Sequence, residues 1–163
     1  MSQYRIKVYK EYFDFSAAHF ITYLGRCETL HGHNYRVEVV LEGERGPDSY
    51  VYNFSDLKPL VRQACAELDH KMLLAAHNTH LQYTTQGEEL EVIFGSRRYL
   101  FPLSEVALLP IENTTAELLA SYLLSNLKIA MKAQARPEMA TLSRIAVEVE
   151  EQPGQAACYI EDW

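Results

Sequence analysis

CETLHGHNYRVEVVLEG, residues 27–43, is the stretch from which the fold is read. From Tyr35 onward it alternates. Tyr35, Val37, Val39 and Leu41 fall on one face and Arg36, Glu38 and Glu42 on the other, the period of a half-buried strand. Gly46, Pro47 and Asp48 mark the turn that follows. Side chains two apart on a strand point the same way, so His31 and His33 leave the face that carries Tyr35 and Val37. The strand aims two imidazoles at one place, at the end where its apolar face begins.

The segment before it, YRIKVYKEYFDFSAAHF, residues 4–20, alternates with Tyr4, Ile6 and Val8, then with Phe13, Phe15 and Ala17 on the opposite parity. A bulge near Tyr9 to Tyr12 reconciles the two halves. An antiparallel pairing of this segment with the 35–41 strand is expected, and it brings His19, which shares the parity of Phe13, Phe15 and Ala17, opposite His31 and His33.

Beyond these strands the period changes. SDLKPLVRQACAEL places Leu57, Leu60, Val61, Ala64, Cys65 and Leu68 at helical spacing, with Ser55 as the expected N-cap. LEVIF and RRYLF flank Gly95-Ser96, a pair suited to a two-residue hairpin turn within residues 88–102. A second helix is expected over TTAELLASYLLSNL, where Thr114 and Glu117 have capping-box spacing and Leu118, Leu119, Tyr122 and Leu123 form the stripe, ending before Pro137. Ile145, Val147 and Val149 then alternate inward, QPG turns, and AACYI makes a short last strand. Strand runs separated by two helices predict a single α+β domain over residues 1–163, with a sheet and two helices on one face.

Composition narrows the function classes. With 163 residues and 48% hydrophobic content the chain is long enough for one real core. A net charge of −7, uninterrupted by a basic stripe, repels a phosphate backbone, so nucleic acid is not an expected partner. No apolar run approaches membrane-spanning length, and Arg5, Lys7, Lys10, Glu11 and Asp14 do not fit a signal peptide, so a cytoplasmic address is expected. The three cysteines, Cys27, Cys65 and Cys158, are expected reduced.

Three imidazoles, His19, His31 and His33, on one sheet face are the arrangement zinc uses when it keeps a position open for water or substrate. A His-x-His pair can also be simple surface or core decoration; the alignment of His19 and the close approach that Gly32 allows favour ligation. Cys27 is either a small buried hydrophobe or, in a polar loop beside a cation, a thiol of lowered pKa. Asp69 and His70 read equally as a proton-transfer pair and as a helix end complemented by an imidazole. Glu151 continues the parity of Val147 and Val149 into the interior, where a carboxylate needs donors such as the N–H edge of a flat heterocycle, unless it simply reaches water at the strand end.

Assembled in order, FSAAHF, CETLHGHNYRVEV, YNFSDLKPLV, LDHKML, ENTTAELLASYL and VEVEEQPGQAACY resemble the 6-pyruvoyltetrahydropterin synthase and 6-carboxytetrahydropterin synthase family over most of the chain. The resemblance implies zinc on His19, His31 and His33, Cys27 as the thiol that shuttles protons, and Asp69 with His70 as its partners. It implies that Glu151 anchors the pterin edge with help from Thr114 and Thr115, and that the substrate is 7,8-dihydroneopterin triphosphate. It also implies a tunnelling fold, a four-stranded antiparallel sheet with two helices, assembled as hexamers of two trimers with active sites at subunit contacts. The three residues between Cys27 and His31 resemble the carboxy-forming enzymes of queuosine biosynthesis, which release acetaldehyde and triphosphate, whereas pyruvoyl-forming relatives commonly carry a longer gap. Residues 75–109, hairpin included, look like an insertion.

Overall fold

The computed structural model describes residues 3–9 and 13–163. In chain order the strands are β1 (Tyr4–Val8), β2 (Asp14–His19), β3 (Thr22–Tyr23), β4 (Arg26–Cys27) and β5 (His31–Gly43), followed by helix α1 (Phe54–Ala66) and strand β6 (Lys71–Ala75). Strands β7 (Gln82–Gln86), β8 (Glu89–Phe94), β9 (Arg97–Pro102) and β10 (Val106–Leu109) come next, then helix α2 (Ala116–Gln134), β11 (Leu142–Gln152) and β12 (Gln155–Asp162).

The long β5 is the spine, as its alternation requires. β1 pairs antiparallel with its far half, Val8 opposite Val39, and β2 with its near half, Phe15 opposite Tyr35 and His19 opposite His31. The bulge expected at Tyr9 to Tyr12 falls on residues 10–12, outside the described residues. β11 lies along the other edge of β5 and β12 along β11, both antiparallel. Tyr35, Val37, Val39, Leu41, Ile145, Val147 and Val149 are buried together under Leu57, Val61 and Cys65 of α1 and Leu119, Leu123 and Leu127 of α2. Both helices thus cover one face, as expected. A Leu or Val buried this way contributes about 1.5–3 kcal/mol, so this one face accounts for most of the driving force.

The expected four-stranded antiparallel sheet is too small. Among the described residues seven strands join in one sheet, because β6 adds to β2 in parallel and β10 adds to β6 in parallel. The reason is visible in β6: Leu73 and Ala75 pack into the helix-side core, while Met72 and Leu74 pack into a second cluster on the opposite face. A strand buried on both faces reads as a continuous apolar run and shows no alternation.

That second cluster lies under a separate three-stranded antiparallel sheet, β7-β8-β9, formed within the segment 75–109 expected as an insertion, where a hairpin was expected. The Gly95-Ser96 turn is as expected, with Phe94 opposite Arg97 and Gly95 at φ +57°. Leu90 and Val92 pack with Phe20, Cys27, Met72 and Leu74, and the Tyr99 ring stacks on Phe20 with 5.2 Å between centroids.

Both expected helix caps shift. Asn53, not Ser55, caps α1, its Oδ1 accepting from the Ser55 amide at 2.8 Å. Thr115, not Thr114, caps α2, accepting from the Leu118 amide at 3.5 Å. Helix α2 ends at Gln134 with Ala135 at φ +50°, before Pro137 as expected. Among the described residues no helix is long and apolar enough to cross a membrane.

Candidate active site

The register of β2 on β5 places Ala17 opposite His33 and His19 opposite His31, which sets three imidazoles on the inward face where the helix-side core ends. Gly32 lets the two strands close: a Cβ there would sit 3.0 Å from the Ala17 carbonyl oxygen. Ring centroids lie 4.7 Å apart for His19 and His31, 5.2 Å for His19 and His33, and 4.9 Å for His31 and His33. Each residue offers one ligand atom within 4.8 Å of the other two.

The surroundings orient two of the rings. His19 is 1% exposed, and its Nδ1 lies 3.0 Å from the Thr114 carbonyl and 3.2 Å from the Thr114 hydroxyl, which itself donates to the Phe20 carbonyl at 3.1 Å. A carbonyl can only accept, so the network assigns the proton to Nδ1 and leaves Nε2 with its lone pair free. His31 does the same, its Nδ1 2.7 Å from the Thr29 carbonyl. This backbone anchoring fixes tautomer and ring orientation in metal-ligating histidines. Burial first, and then the two neighbouring imidazoles, hold the His19 pKa down to about 4 against the Thr114 bond that raises it. The ring is therefore neutral at pH 7, the form a ligand requires. Three nitrogens on one zinc at about 2.0–2.1 Å stand roughly 3.4 Å apart at tetrahedral angles, so small ring movements close the set. The residues present fit a divalent ion.

Acidic groups ring the cluster. Glu151 stands at a register shift between β11 and β12, the kind of irregularity that re-aims a side chain. Its Oε1 lies 3.4 Å from Nε2 of His19 and 3.6 Å from Nε2 of His33. The Tyr35 hydroxyl is 3.2 Å from Nε2 of His19 and donates to Glu151 at 3.5 Å. Burial, followed by the Glu151 charge, keeps that phenol protonated far above its ordinary range. Glu28 Oε2 is 3.9 Å from Nε2 of His31. Together with Thr115, Glu117 and Gln155, the Glu28 and Glu151 carboxylates and the three imidazoles line a cavity of about 450 Å³.

Cys27 does not line that cavity. It is 7% exposed, packs in the cluster beneath the inserted sheet, and donates through Sγ to the Glu28 carbonyl at 3.4 Å. The lowered thiol pKa expected from a polar loop is corrected: burial pushes it up, and the Arg97 cation only partly opposes this. Asp69 and His70 do form a pair, Oδ2 to Nδ1 at 2.8 Å, with Asp69 also accepting from the Ser16 amide at 2.8 Å. The Ser16 bond first, and then His70, hold the Asp69 carboxyl below its usual value. His70 adopts φ +56° and opens onto a different cleft of about 490 Å³, lined also by Ser16, Asn34, Lys71 and Phe101. His33 is the residue the two clefts share.

A family model described as 6-pyruvoyl tetrahydropterin synthase matches residues 7–162, a span that contains the three histidines, Glu151 and the Asp69-His70 pair. The chain belongs to this family. A putative 6-carboxy-5,6,7,8-tetrahydropterin synthase of Methanocaldococcus jannaschii is 36% identical over 146 residues, 89% of this chain and 88% of that protein. The 6-pyruvoyl tetrahydropterin synthase of Plasmodium falciparum superposes with a TM-score of 0.94 at 32% identity, covering all of both chains. The Plasmodium vivax enzyme, solved as an alanine variant of a catalytic glutamate, does so with a TM-score of 0.94 at 29% identity. These relatives are pterin synthases, and the family assignment makes the chain one of that enzyme family.

Two pocket residues escape a reading of the sequence. Glu117 is absorbed by the supposed capping box, but with Thr115 as the cap its carboxylate is left to the cavity. Glu28 hides beside the more conspicuous Cys27; its position three residues before His31 is the signal that could have found it. Thr114, grouped with Thr115 as a pterin contact, has its hydroxyl engaged with Phe20 and His19, while Thr115 lines the cavity.

Proposed function

We propose that this chain is a zinc-dependent lyase that converts 7,8-dihydroneopterin triphosphate to 6-carboxy-5,6,7,8-tetrahydropterin with release of acetaldehyde and triphosphate. The observation that carries the reading is the trio of imidazoles with two Nδ1 atoms tied to backbone carbonyls, set in a carboxylate-rimmed cavity. The names of the archaeal relatives support the carboxy product. His19, His31 and His33 would hold the ion, and a Lewis acid held there would make protons at the substrate side chain more acidic and offset developing oxyanion charge.

The chain's own groups divide the remaining work. The carboxylates of Glu151 and Glu117 accept from the amino and ring N–H edge of the pterin, with Thr115 beside them, and so set which carbon of the side chain faces the imidazoles. Cys27 moves a proton at the side chain, and Asp69 holds His70 in the tautomer that relays it. Because the Asp69-His70 pair opens onto its own cleft, the proposal includes a homo-oligomer, a hexamer of two trimers, in which that pair serves a neighbouring copy's site. Native mass measurement tests the assembly.

Incubation with 7,8-dihydroneopterin triphosphate, followed by mass identification of the pterin and an acetaldehyde assay, tests the reaction. A 6-carboxy pterin with acetaldehyde is expected. A 6-pyruvoyl pterin with triphosphate but no aldehyde would move the chain to the pyruvoyl-forming activity.

A second reading is favoured by one observation: Glu28 faces the imidazoles while the Cys27 thiol is packed away. With Glu28 as the base, an aldol cleavage of the pterin side chain would leave the phosphates on the aldehyde fragment. A relative named dihydroneopterin monophosphate aldolase, from Pyrococcus furiosus, is 42% identical over 66 residues, 40% of this chain and 54% of that protein. Loss of turnover in Glu28→Gln with retention in Cys27→Ala, and a phosphorylated aldehyde product, would select this reading.

A further inference from the structure

The inserted sheet reaches the site through one side chain. Arg97 opens β9, directly after the Gly95-Ser96 turn, and its Nη1 donates to the carbonyl of Cys27 and to the carbonyl of Glu28, each at 2.9 Å. Successive carbonyls of an extended strand point to opposite sides. Their convergence on a single nitrogen therefore means that the chain bends at this point, and the bend sends the two side chains apart. The Cys27 thiol goes under the inserted sheet and the Glu28 carboxylate goes toward His31.

Among the described residues the bend has few other backbone ties. Cys27 pairs with Thr22 in the two-residue strands β3 and β4, and the Glu28 amide donates to the Ile21 carbonyl at 3.0 Å. Arg97, in contrast, is presented from a packed platform. Leu90 is 2% exposed and Val92 fully buried, and Tyr99, two residues beyond Arg97, stacks on Phe20.

We infer that Arg97 is a positioning residue for the reaction, clamping the Cys27-Glu28 segment so that the carboxylate keeps its place beside the imidazoles and the thiol its place beneath the sheet, and that the inserted sheet is thereby part of the active-site apparatus. The inference rests on the proposed lyase reading of the site. The guanidinium also works against the burial that disfavours the Cys27 thiolate. A clamp of this kind acts on the reacting geometry more than on substrate binding, since the pterin edge is held by groups on β11 and α2.

The test uses the zinc-loaded full chain with Arg97→Met, which keeps the stem and removes the donors, and Arg97→Lys, which keeps a cation able to donate. In Arg97→Met, kcat on 7,8-dihydroneopterin triphosphate should fall about 10- to 100-fold, the cost of a misplacement on the ångström scale, with KM and bound zinc unchanged. Amide hydrogen exchange across residues 26–31 should accelerate about tenfold or more, while β5 beyond Tyr35 and β11 keep their protection. Arg97→Lys should restore part of both. An unchanged kcat per folded molecule, or a loss that appears only in KM or in melting temperature, overturns the inference. If Arg97→Met does not fold, Arg97→Lys and Arg97→Gln are read by the same criteria. If the wild-type protein itself shows no turnover, the lyase reading fails, and exchange decides alone: acceleration in Arg97→Met with recovery in Arg97→Lys upholds the clamp, and unchanged exchange refutes it.

Discussion

His19 makes the metal-free protein sensitive to acid in a way that can be isolated. Its imidazole is 1% exposed and its pKa is held down from 6.5 to about 4, by burial first and then by the neighbouring imidazoles. Between those values the unfolded chain binds the proton and the folded chain refuses it, so stability rises with pH through this window and is lost as pH falls. Above pH 6.5 both states are neutral at this ring and the dependence stops. Taking the difference between 6.5 and about 4 at 1.36 kcal/mol for each factor of ten, the ring alone costs roughly 3 kcal/mol at pH 4 relative to pH 7. Urea unfolding of the metal-free protein at pH 7, 6, 5 and 4 reads this loss, and His19→Phe supplies the control: it fills the space and cannot titrate, while any cost of abandoning Thr114 is the same at every pH. The wild type should therefore lose about 3 kcal/mol more than the variant across the range. Parallel curves for the two proteins would refute the picture of a buried neutral imidazole.

Two further outcomes follow from the same geometry. Thr114→Val, which removes the hydroxyl that links Phe20 to His19, should leave the fold intact and weaken metal binding about 10- to 100-fold in a chelator competition. Glu151→Gln should retain the metal and weaken binding of a pterin by about 2 kcal/mol, the contribution of a charge-assisted pair, as read from the dissociation constant by calorimetry.

Much of this site is legible in the sequence because β5 is a strand with one wet face. Its period of two aligns His31 and His33 with Tyr35 and Val37, and the same parity argument on β2 brings His19 to them. The Gly95-Ser96 turn and the inward run of Ile145, Val147 and Val149 are legible for the same local reasons. What is hidden is what depends on a second layer. β6 carries no alternation because Leu73 faces the helices and Leu74 faces the inserted sheet. β7, QYTTQ, leaves most of its side chains to solvent and has no apolar stripe to announce it. The capping-box spacing to Glu117 points to Thr114, and only the structure shows that Thr114 is spent on His19 while Thr115 caps the helix. Cys27 looks wet from its neighbours in sequence and is dry because residues some seventy positions later fold over it.

Metal content tests the central claim most directly. After zinc reconstitution and removal of excess ion, elemental analysis should find about one zinc per chain, and replacing His19, His31 or His33 singly by alanine should abolish it. A wild-type protein that takes up no zinc, or a single alanine variant that still holds a full equivalent, would contradict the account.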